Sequence, residues 1–176
     1  MISNLPNWIY LAPTTLNEEK AMMEWAIKQR KHPVAIKMPT KAVPEGKQVE
    51  ANCDEIKYQV KKGKDVAILA LGDFYSLGEK VADKLGATLV NPVSANILDK
   101  NTLDQLAADH EVIVTLEDNS LDGGFGEKVA SYLGAKTKVL NFGQKRVYTD
   151  QIPLEQIYKD NHLTVDQIVE DIKNVL

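Results

Sequence analysis

The sequence predicts an α/β fold: a three-layer, mostly parallel sheet over residues 57–176, preceded by a short strand–helix–strand block. Two observations carry this prediction. Residues 66–71 (VAILAL) and 112–116 (VIVTL) form predominantly apolar runs, which is typical of strands covered on both faces. Segments with helical periodicity alternate with these runs, as expected when crossover helices join parallel strands.

The predicted elements of the sheet follow one another regularly. Gly86 is expected to end the first helix, and Thr164 to cap the last one. In chain order, the predicted elements are a strand at 66–71, a helix at 77–85, a strand at 88–90, a helix around 103–107, a strand at 112–116, a helix through 129–133, a strand at 138–142, and helices at 154–158 and 165–175.

The first block contains a strand at residues 8–12, a helix and a second strand at 34–36. Thr14 or Thr15 can cap the helix, and the two glutamates of its first turn suit the positive end of the helix dipole. We expect the second strand to be buried, and two strands cannot bury a sheet by themselves. The apolar stripe of the helix is predicted to comprise Met22, Met23, Trp25, Ala26 and Ile27.

Residues 38–56 contain two prolines, a glycine and mixed charges without periodicity. This composition is typical of a linker or extended excursion. We therefore divide the chain into residues 1–37, the linker 38–56 and the domain 57–176.

Composition excludes several classes of protein. The 21 basic residues are outnumbered by 25 acidic ones, which argues against a nucleic-acid partner. Cys53, the single cysteine, excludes an internal disulfide and is expected to be buried and unreactive. No apolar run approaches the ~20 residues that cross a bilayer, and residues 1–8 do not resemble a signal peptide. No membrane partner and a cytoplasmic location are expected.

The loop between the strand at 112–116 and the following helix contains three glycines: Gly123, Gly124 and Gly126. Amides at a helix start can bind an anion, but neither a dinucleotide fingerprint nor a P-loop is present. Glu117 and Asp118, with Asp122, would also repel phosphate. The sequence favours a tight turn and close packing of the helix over anion binding.

No catalytic or metal-binding residue is predicted. Gly72 and Asp73, with asparagines further along, have the outline of the motif that holds a metal ion and a diphosphate. Phe74 stands where that motif needs a glycine, so the likeness is interpreted as coincidental. The three histidines lack metal-ligand spacing. Glu117 and Asp118 are neighbours on a strand and are expected to point to opposite faces.

Two longer segments, GKDVAILALG and EVIVTLEDNSLDGGFGEKV, resemble the C-terminal domain of the transketolase superfamily. Within it, these segments resemble the 1-deoxy-D-xylulose-5-phosphate synthase family. NLPNWIYLAPTTLNEE and HPVAIKMP resemble the end of the same family's pyrimidine-binding domain. The resemblance therefore covers nearly the whole chain.

The resemblance implies a C-terminal fragment of an enzyme, with Met1 an internal methionine or an introduced start. The parent enzyme would use thiamine diphosphate and Mg²⁺ to form 1-deoxy-D-xylulose 5-phosphate from pyruvate and glyceraldehyde 3-phosphate. The segments that hold the cofactor are missing here, so no bound cofactor, metal or catalysis is expected of this chain. The fragment would be structural and dimerising, with Glu117 and Gly123, Gly124 and Gly126 as an interface or packing loop and a homodimer as the assembly.

Lys37 is the one substrate contact that the resemblance implies. The family reads Arg-Tyr-Pro-Arg-Gly where this chain has Lys37-Met38-Pro39-Thr40-Lys41. Lysine supplies the charge for a substrate phosphate but not the bidentate fork of arginine, and Thr40 supplies no charge. Two alternatives stay open: a relative of transketolase or of a 2-oxoacid dehydrogenase β-subunit, and a stand-alone, non-catalytic dimerisation or ligand-binding domain.

Overall fold

The computed structural model describes residues 2–39 and 42–176. None of the helices in this part of the chain has the length and apolarity that crossing a membrane requires. Its elements are β1 (Ile9–Leu11), α1 (Leu16–Lys28), β2 (Val34–Ile36), β3 (Gln59–Lys61), β4 (Lys64–Ala70), α2 (Tyr75–Leu85), β5 (Ala87–Asn91), α3 (Lys100–Asp109), β6 (Val112–Ser120), α4 (Phe125–Leu133), β7 (Lys138–Gln144), α5 (Leu154–Asp160) and α6 (Val165–Lys173).

Five strands form the main sheet in the order β3-β5-β4-β6-β7. β5, β4, β6 and β7 are parallel, and β3 is antiparallel to β5. The predicted α/β class with a mostly parallel sheet is confirmed. β3 was not predicted because its three residues are exposed in a lysine-rich stretch, as is common for a protected edge strand.

The two faces of the sheet pack against different helices. Alternate residues of β4 point to opposite sides, so Ile68 packs with α2 and α6, whereas Leu69 packs with α3 and α4. The side chains of Ile68 and Leu69 are both fully buried. The sheet is thus the middle of three layers, as its apolar strands predicted.

Two of the three signals predicted at helix ends act as the sequence indicated. Thr15, rather than Thr14, is the N-cap of α1, and its hydroxyl accepts the N–H of Glu18 at 3.2 Å. Gly86 ends α2 in the left-handed conformation, with φ of 65°, which glycine adopts without steric cost. Thr164 precedes α6, but its hydroxyl donates to the Gln167 side chain instead of capping the helix.

The first block is joined directly to the main sheet. β1 pairs with β2 in parallel, and its other edge meets the segment after β5. The Ala12 N–H donates to the Val93 carbonyl, and the Ala95 N–H donates to the Tyr10 carbonyl, each at 2.8 Å. Residues of β1 and α1 also share one apolar core with β4, α3 and α4.

Two burial predictions for the first block were wrong. Ile27 is 70% exposed and Met23 is 40% exposed, although both were assigned to the apolar stripe of α1. The buried side of α1 instead carries Glu18 and Met22, and Ile27, nine residues after Glu18, lies about 180° around the helix. β2 is half-buried along its length rather than buried, because β1 is its single neighbour among the described residues.

The segment predicted as a linker follows the surface closely. The carbonyl oxygens of Pro44 and Glu45 accept the N–H groups of Leu16 and Asn17 at 3.0 Å, so this segment is fixed to the start of α1. Its last part contributes Cys53 to the apolar core, as the sequence predicted for the thiol. Residues 40 and 41 lie outside the described residues.

Candidate functional site

The candidate site lies at the carboxyl ends of β4 and β6. The helix after β4 packs on one face of the sheet, and the helix after the neighbouring strand β6 packs on the other. In open α/β sheets, this change of direction leaves a crevice at the strand ends where ligands bind. Asp73 follows β4 in a short turn, and Asp118 lies near the end of β6. The fold therefore brings two carboxylates to this crevice.

The end of β2 places a lysine in the same crevice. Lys37 Nζ lies 3.4 Å from Asp73 Oδ1 and 3.9 Å from Asp118 Oδ2. It also donates a 3.3 Å hydrogen bond to the backbone oxygen of Asp118. Asp73 Oδ1 accepts no hydrogen bond within the described residues, so its contact with Lys37 is an ion pair without directed hydrogen bonding. The lysine that the resemblance assigns to a substrate phosphate thus faces carboxylates of its own chain, while Thr40 lies outside the described residues.

Two tyrosines flank these carboxylates. Burial raises the pKa of Tyr158 to about 12, and the charges of Asp118 and Asp73 act in the same direction. Burial also raises the pKa of Tyr10, with a further contribution from Asp73. Both phenols are therefore protonated at neutral pH and cannot act as bases there.

Glu117 occupies the start of α4. Its Oε2 accepts the N–H of Phe125 at 2.9 Å, and its Oε1 accepts the N–H of Gly126 at 2.8 Å. Its side chain is fully buried. An internal carboxylate therefore binds the amides that a helix start could offer to an external anion. Asp118, next along β6, points toward Lys37 instead.

The ionisation of Glu117 reflects two opposing effects. Burial raises the pKa of its carboxyl group, whereas hydrogen bonds from Gly126, Phe125 and Asn119 and the charge of Lys37 lower it. Burial is the larger effect, so the pKa lies above its usual value. The hydrogen bonds hold the ionised Glu117 side chain in place, although removing its charge from water costs free energy.

Two glycines of the loop lie where a side chain would collide with its neighbours. A Cβ atom at Gly124 would be 2.5 Å from Glu117 Oε1, and one at Gly126 would be 2.5 Å from Thr115 Oγ1. Gly123 has space around it but a φ of 71°, a conformation that other residues rarely adopt. These contacts support a packing role for the loop, which stays a prediction, as does its role at an interface.

A cavity of about 400 Å³ opens beside the glycine loop. Tyr10, Asn119 and Ser120 form part of its wall, together with the loop backbone. Within the described residues, its lining includes the carboxylates of Glu117 and Asp122 but no lysine or arginine. The cavity is electrostatically unsuited to a phosphate group.

The candidate residues that the structure describes do not fit a metal–diphosphate site. Such a site needs several oxygen ligands that converge on one cation. Asp73 faces Lys37, and the Asn96 side chain accepts the Tyr10 N–H and donates to the Trp8 carbonyl, each at 2.9 Å. Asn101 lies exposed on α3. Among the described residues, no three His, Cys, Asp or Glu side chains are grouped so as to hold a metal ion.

Sequence reasoning missed two features of this region. Asp73 and Asn96, whose likeness to a metal motif is coincidental by the sequence analysis, instead make long-range contacts: Asp73 pairs with Lys37 directly after β2, and Asn96 bonds to the backbone around β1. Both residues connect the first block to the main sheet. Since the contacts join positions far apart in the chain, no local pattern of residues could have indicated them.

Comparison with protein-family models identifies residues 55–168 as the family described as Transketolase, C-terminal domain. This match covers β3 to α5 and the start of α6, and therefore includes the whole five-stranded sheet, the crevice carboxylates and the glycine loop.

Curated relatives extend the similarity across the first block. The chain is 32% identical to 1-deoxy-D-xylulose-5-phosphate synthase of Clostridium acetobutylicum over 97% of its own length and 29% of the relative. It is 36% identical to the synthase of Pseudoalteromonas translucida over 79% of its length and 23% of that relative. The chain thus spans less than a third of the length of these relatives.

A solved structure has the same fold over nearly all of the chain. It is described as "Split gene transketolase, inactive beta4 tetramer" and matches with a TM-score of 0.86 and 26% identity, covering 98% of this chain and 59% of that one. The family match, the relatives and this fold agree with one another. The chain belongs to the transketolase C-terminal domain family.

Proposed function

We propose that this chain is the C-terminal part of a thiamine-diphosphate-dependent transferase of the 1-deoxy-D-xylulose-5-phosphate synthase type. The enzyme would join pyruvate and glyceraldehyde 3-phosphate with loss of carbon dioxide. The observation that carries the proposal is the 32% identity across 97% of the chain, because it includes both the first block and the main sheet. A similarity confined to the main sheet would be equally consistent with other enzymes of the transketolase superfamily.

The cofactor would be held by other polypeptide of the same enzyme. Thiamine diphosphate with Mg²⁺ supplies the carbanion chemistry of such enzymes. Asp73 and Asn96 are engaged in contacts within this chain, so neither is available to a metal–diphosphate site. The contribution of this chain would be to support the cofactor-binding domains and to form a homodimer.

The proposed division into residues 1–37, 38–56 and 57–176 concerns the parent enzyme. The first part would complete a pyrimidine-binding domain, whose sheet continues from β2. Within this chain, the first part also shares an apolar core with the main sheet. A cytoplasmic location stays a prediction.

Lys37 is proposed to contact the phosphate of glyceraldehyde 3-phosphate. Its ammonium group lies at the carboxyl edge of the sheet, where ligands of α/β proteins bind. Replacing Lys37 with methionine in the complete enzyme should raise KM for glyceraldehyde 3-phosphate and leave KM for pyruvate unchanged.

One experiment tests the overall proposal. The chain is assayed alone and together with the polypeptide that carries the cofactor-binding domains, using [1-¹³C]pyruvate and glyceraldehyde 3-phosphate. The combination should release ¹³CO₂ and form 1-deoxy-D-xylulose 5-phosphate, whereas the chain alone should do neither. Calorimetry that shows tight binding of thiamine diphosphate and Mg²⁺ to the chain alone would contradict the assignment of the cofactor to other domains.

A transketolase-type activity is the second candidate. The solved structure with the same fold is named as a transketolase, and its 26% identity is lower than that of the synthases. Turnover of a ketose phosphate donor with glyceraldehyde 3-phosphate, without consumption of pyruvate, would favour this alternative over the synthase.

A further inference from the structure

We propose that Asp73 masks Lys37: the Lys37–Asp73 ion pair is an autoinhibitory contact that an anionic ligand group must open before it can bind the lysine. This inference rests on the proposed function, in which Lys37 receives the phosphate of the substrate, and it adds a means of regulating that site. The ligand class is a phosphate monoester.

Geometry supports the mask. Lys37 Nζ approaches Asp73 Oδ1 to 3.4 Å and Asp118 Oδ2 to 3.9 Å. The Lys37 side chain is 12% exposed. Asp73 Oδ1 therefore occupies a position beside the ammonium group that a phosphate oxygen would need.

Electrostatics make the mask selective against anions. A phosphate oxygen near Lys37 would also lie near two carboxylates, and like charges repel strongly where water is largely excluded. Asp73 is 14% exposed, so solvent screens this repulsion weakly. Asp73 Oδ1 accepts no hydrogen bond within the described residues, whereas Asp118 Oδ1 accepts one from the Gln144 side chain at 3.4 Å.

Asp118 has a different role in this arrangement. Its backbone oxygen accepts the Lys37 ammonium at 3.3 Å, a contact that does not depend on the charge of either aspartate. Loss of the Asp73 carboxylate should therefore leave the lysine in position, with the more distant Asp118 carboxylate as its remaining ion-pair partner. The Asp73 carboxylate thus masks Lys37, and the Asp118 backbone oxygen positions it.

The experiment titrates the 176-residue chain with inorganic phosphate at low ionic strength and follows the Lys37 side-chain NMR signals. Asp73→Asn should tighten phosphate binding about tenfold, as expected for loss of one neighbouring negative charge. Asp73→Ser, which removes the same charge with a smaller side chain, should act alike and guards against a folding defect in one variant. The double variant Lys37→Met/Asp73→Asn should show none of this gain in phosphate affinity.

The matched control is Asp83→Asn. Asp83 pairs with Lys61 at 3.9 Å, but its side chain is 69% exposed, so the same change in net charge should alter phosphate affinity less than about twofold. Equal gains in Asp73→Asn and Asp83→Asn would overturn the proposal. Persistence of the gain in the double variant would overturn it as well.

Failure of the mask and failure of the proposed function give different results. An unchanged KM for glyceraldehyde 3-phosphate in the Lys37→Met enzyme would remove Lys37 from the substrate site. An unchanged phosphate affinity in the Asp73 variants would remove the mask and leave that assignment intact.

Discussion

The Glu117 Oε1 atom accepts a 2.8 Å hydrogen bond from the backbone N–H of Gly126, at the first turn of α4. The second carboxylate oxygen accepts the N–H of Phe125. A strand residue thereby satisfies two amides that have no partner inside their own helix.

Replacing Glu117 with alanine should destabilise the chain by about 2–3 kcal/mol, because two buried amides lose a charged acceptor. Urea unfolding followed by circular dichroism measures the change. Glu127→Ala is the control, since the exposed Glu127 side chain also accepts a loop amide, that of Gly123; its cost should stay within about 0.5 kcal/mol. A similar cost for both variants would contradict the importance of burial.

The stability of the chain should depend on pH through Glu117. Its pKa in the folded chain is raised, chiefly by burial, above the ordinary 4.5. The folded state therefore binds this proton more tightly than the unfolded state. The resulting contribution to the unfolding free energy is complete below the unfolded pKa and is lost as pH rises through the folded pKa. The unfolding free energy of the wild type minus that of Glu117→Gln should fall across this interval. A difference that rises with pH would show that the hydrogen bonds outweigh burial.

Gly126→Ala should destabilise the chain by about 1–3 kcal/mol through overpacking. The added methyl group would meet the side chains of Thr115 and Asn141, which are hydrogen-bonded to each other at 2.8 Å. Thermal unfolding compared with Gly123→Asn gives the control, because Gly123 has open space around it and asparagine tolerates a positive φ. Equal losses of thermal stability in the two variants would indicate backbone strain rather than a steric collision at Gly126.

Cys53 should react slowly with thiol reagents in the native chain. Burial raises the pKa of its thiol to about 11, with contributions from Glu18 and Asp54, and the residue is 3% exposed. Little thiolate is present at neutral pH, and reagents reach it only when the structure opens. Labelling with Ellman's reagent should accelerate to the rate of a free cysteine in denaturing urea. Fast labelling without urea would show that the segment around Cys53 opens readily.

Asn96→Ala should loosen the first block. The Asn96 amide satisfies the N–H of Tyr10 in β1 and the carbonyl of Trp8 just before it, and leaving these unpaired should cost about 1–3 kcal/mol. Hydrogen exchange should show lost protection at Tyr10, and limited proteolysis should cut residues 1–37 sooner than in the wild type. Asn101→Ala, exposed on α3, should change neither. Unchanged protection in Asn96→Ala would mean that the shared apolar core alone holds the block.

The sequence by itself determined the class of fold and most of its elements. Apolar runs such as residues 112–116 predicted parallel strands, because strands buried on both faces have no polar side. Short-range signals such as Thr15 and Gly86 predicted the helix ends, because caps depend on neighbouring residues alone. The exposed strand β3 carried no such signal.

Only the tertiary structure decided which side chains meet at the strand ends. Lys37 follows β2, whereas Asp73 follows β4, and the two approach each other because separate strands end at the same edge. Burial of Glu18 rather than Ile27 on α1 likewise depends on which side of the helix the main sheet covers. Spacing along the chain fixes local geometry, but contacts between distant segments depend on how the layers pack.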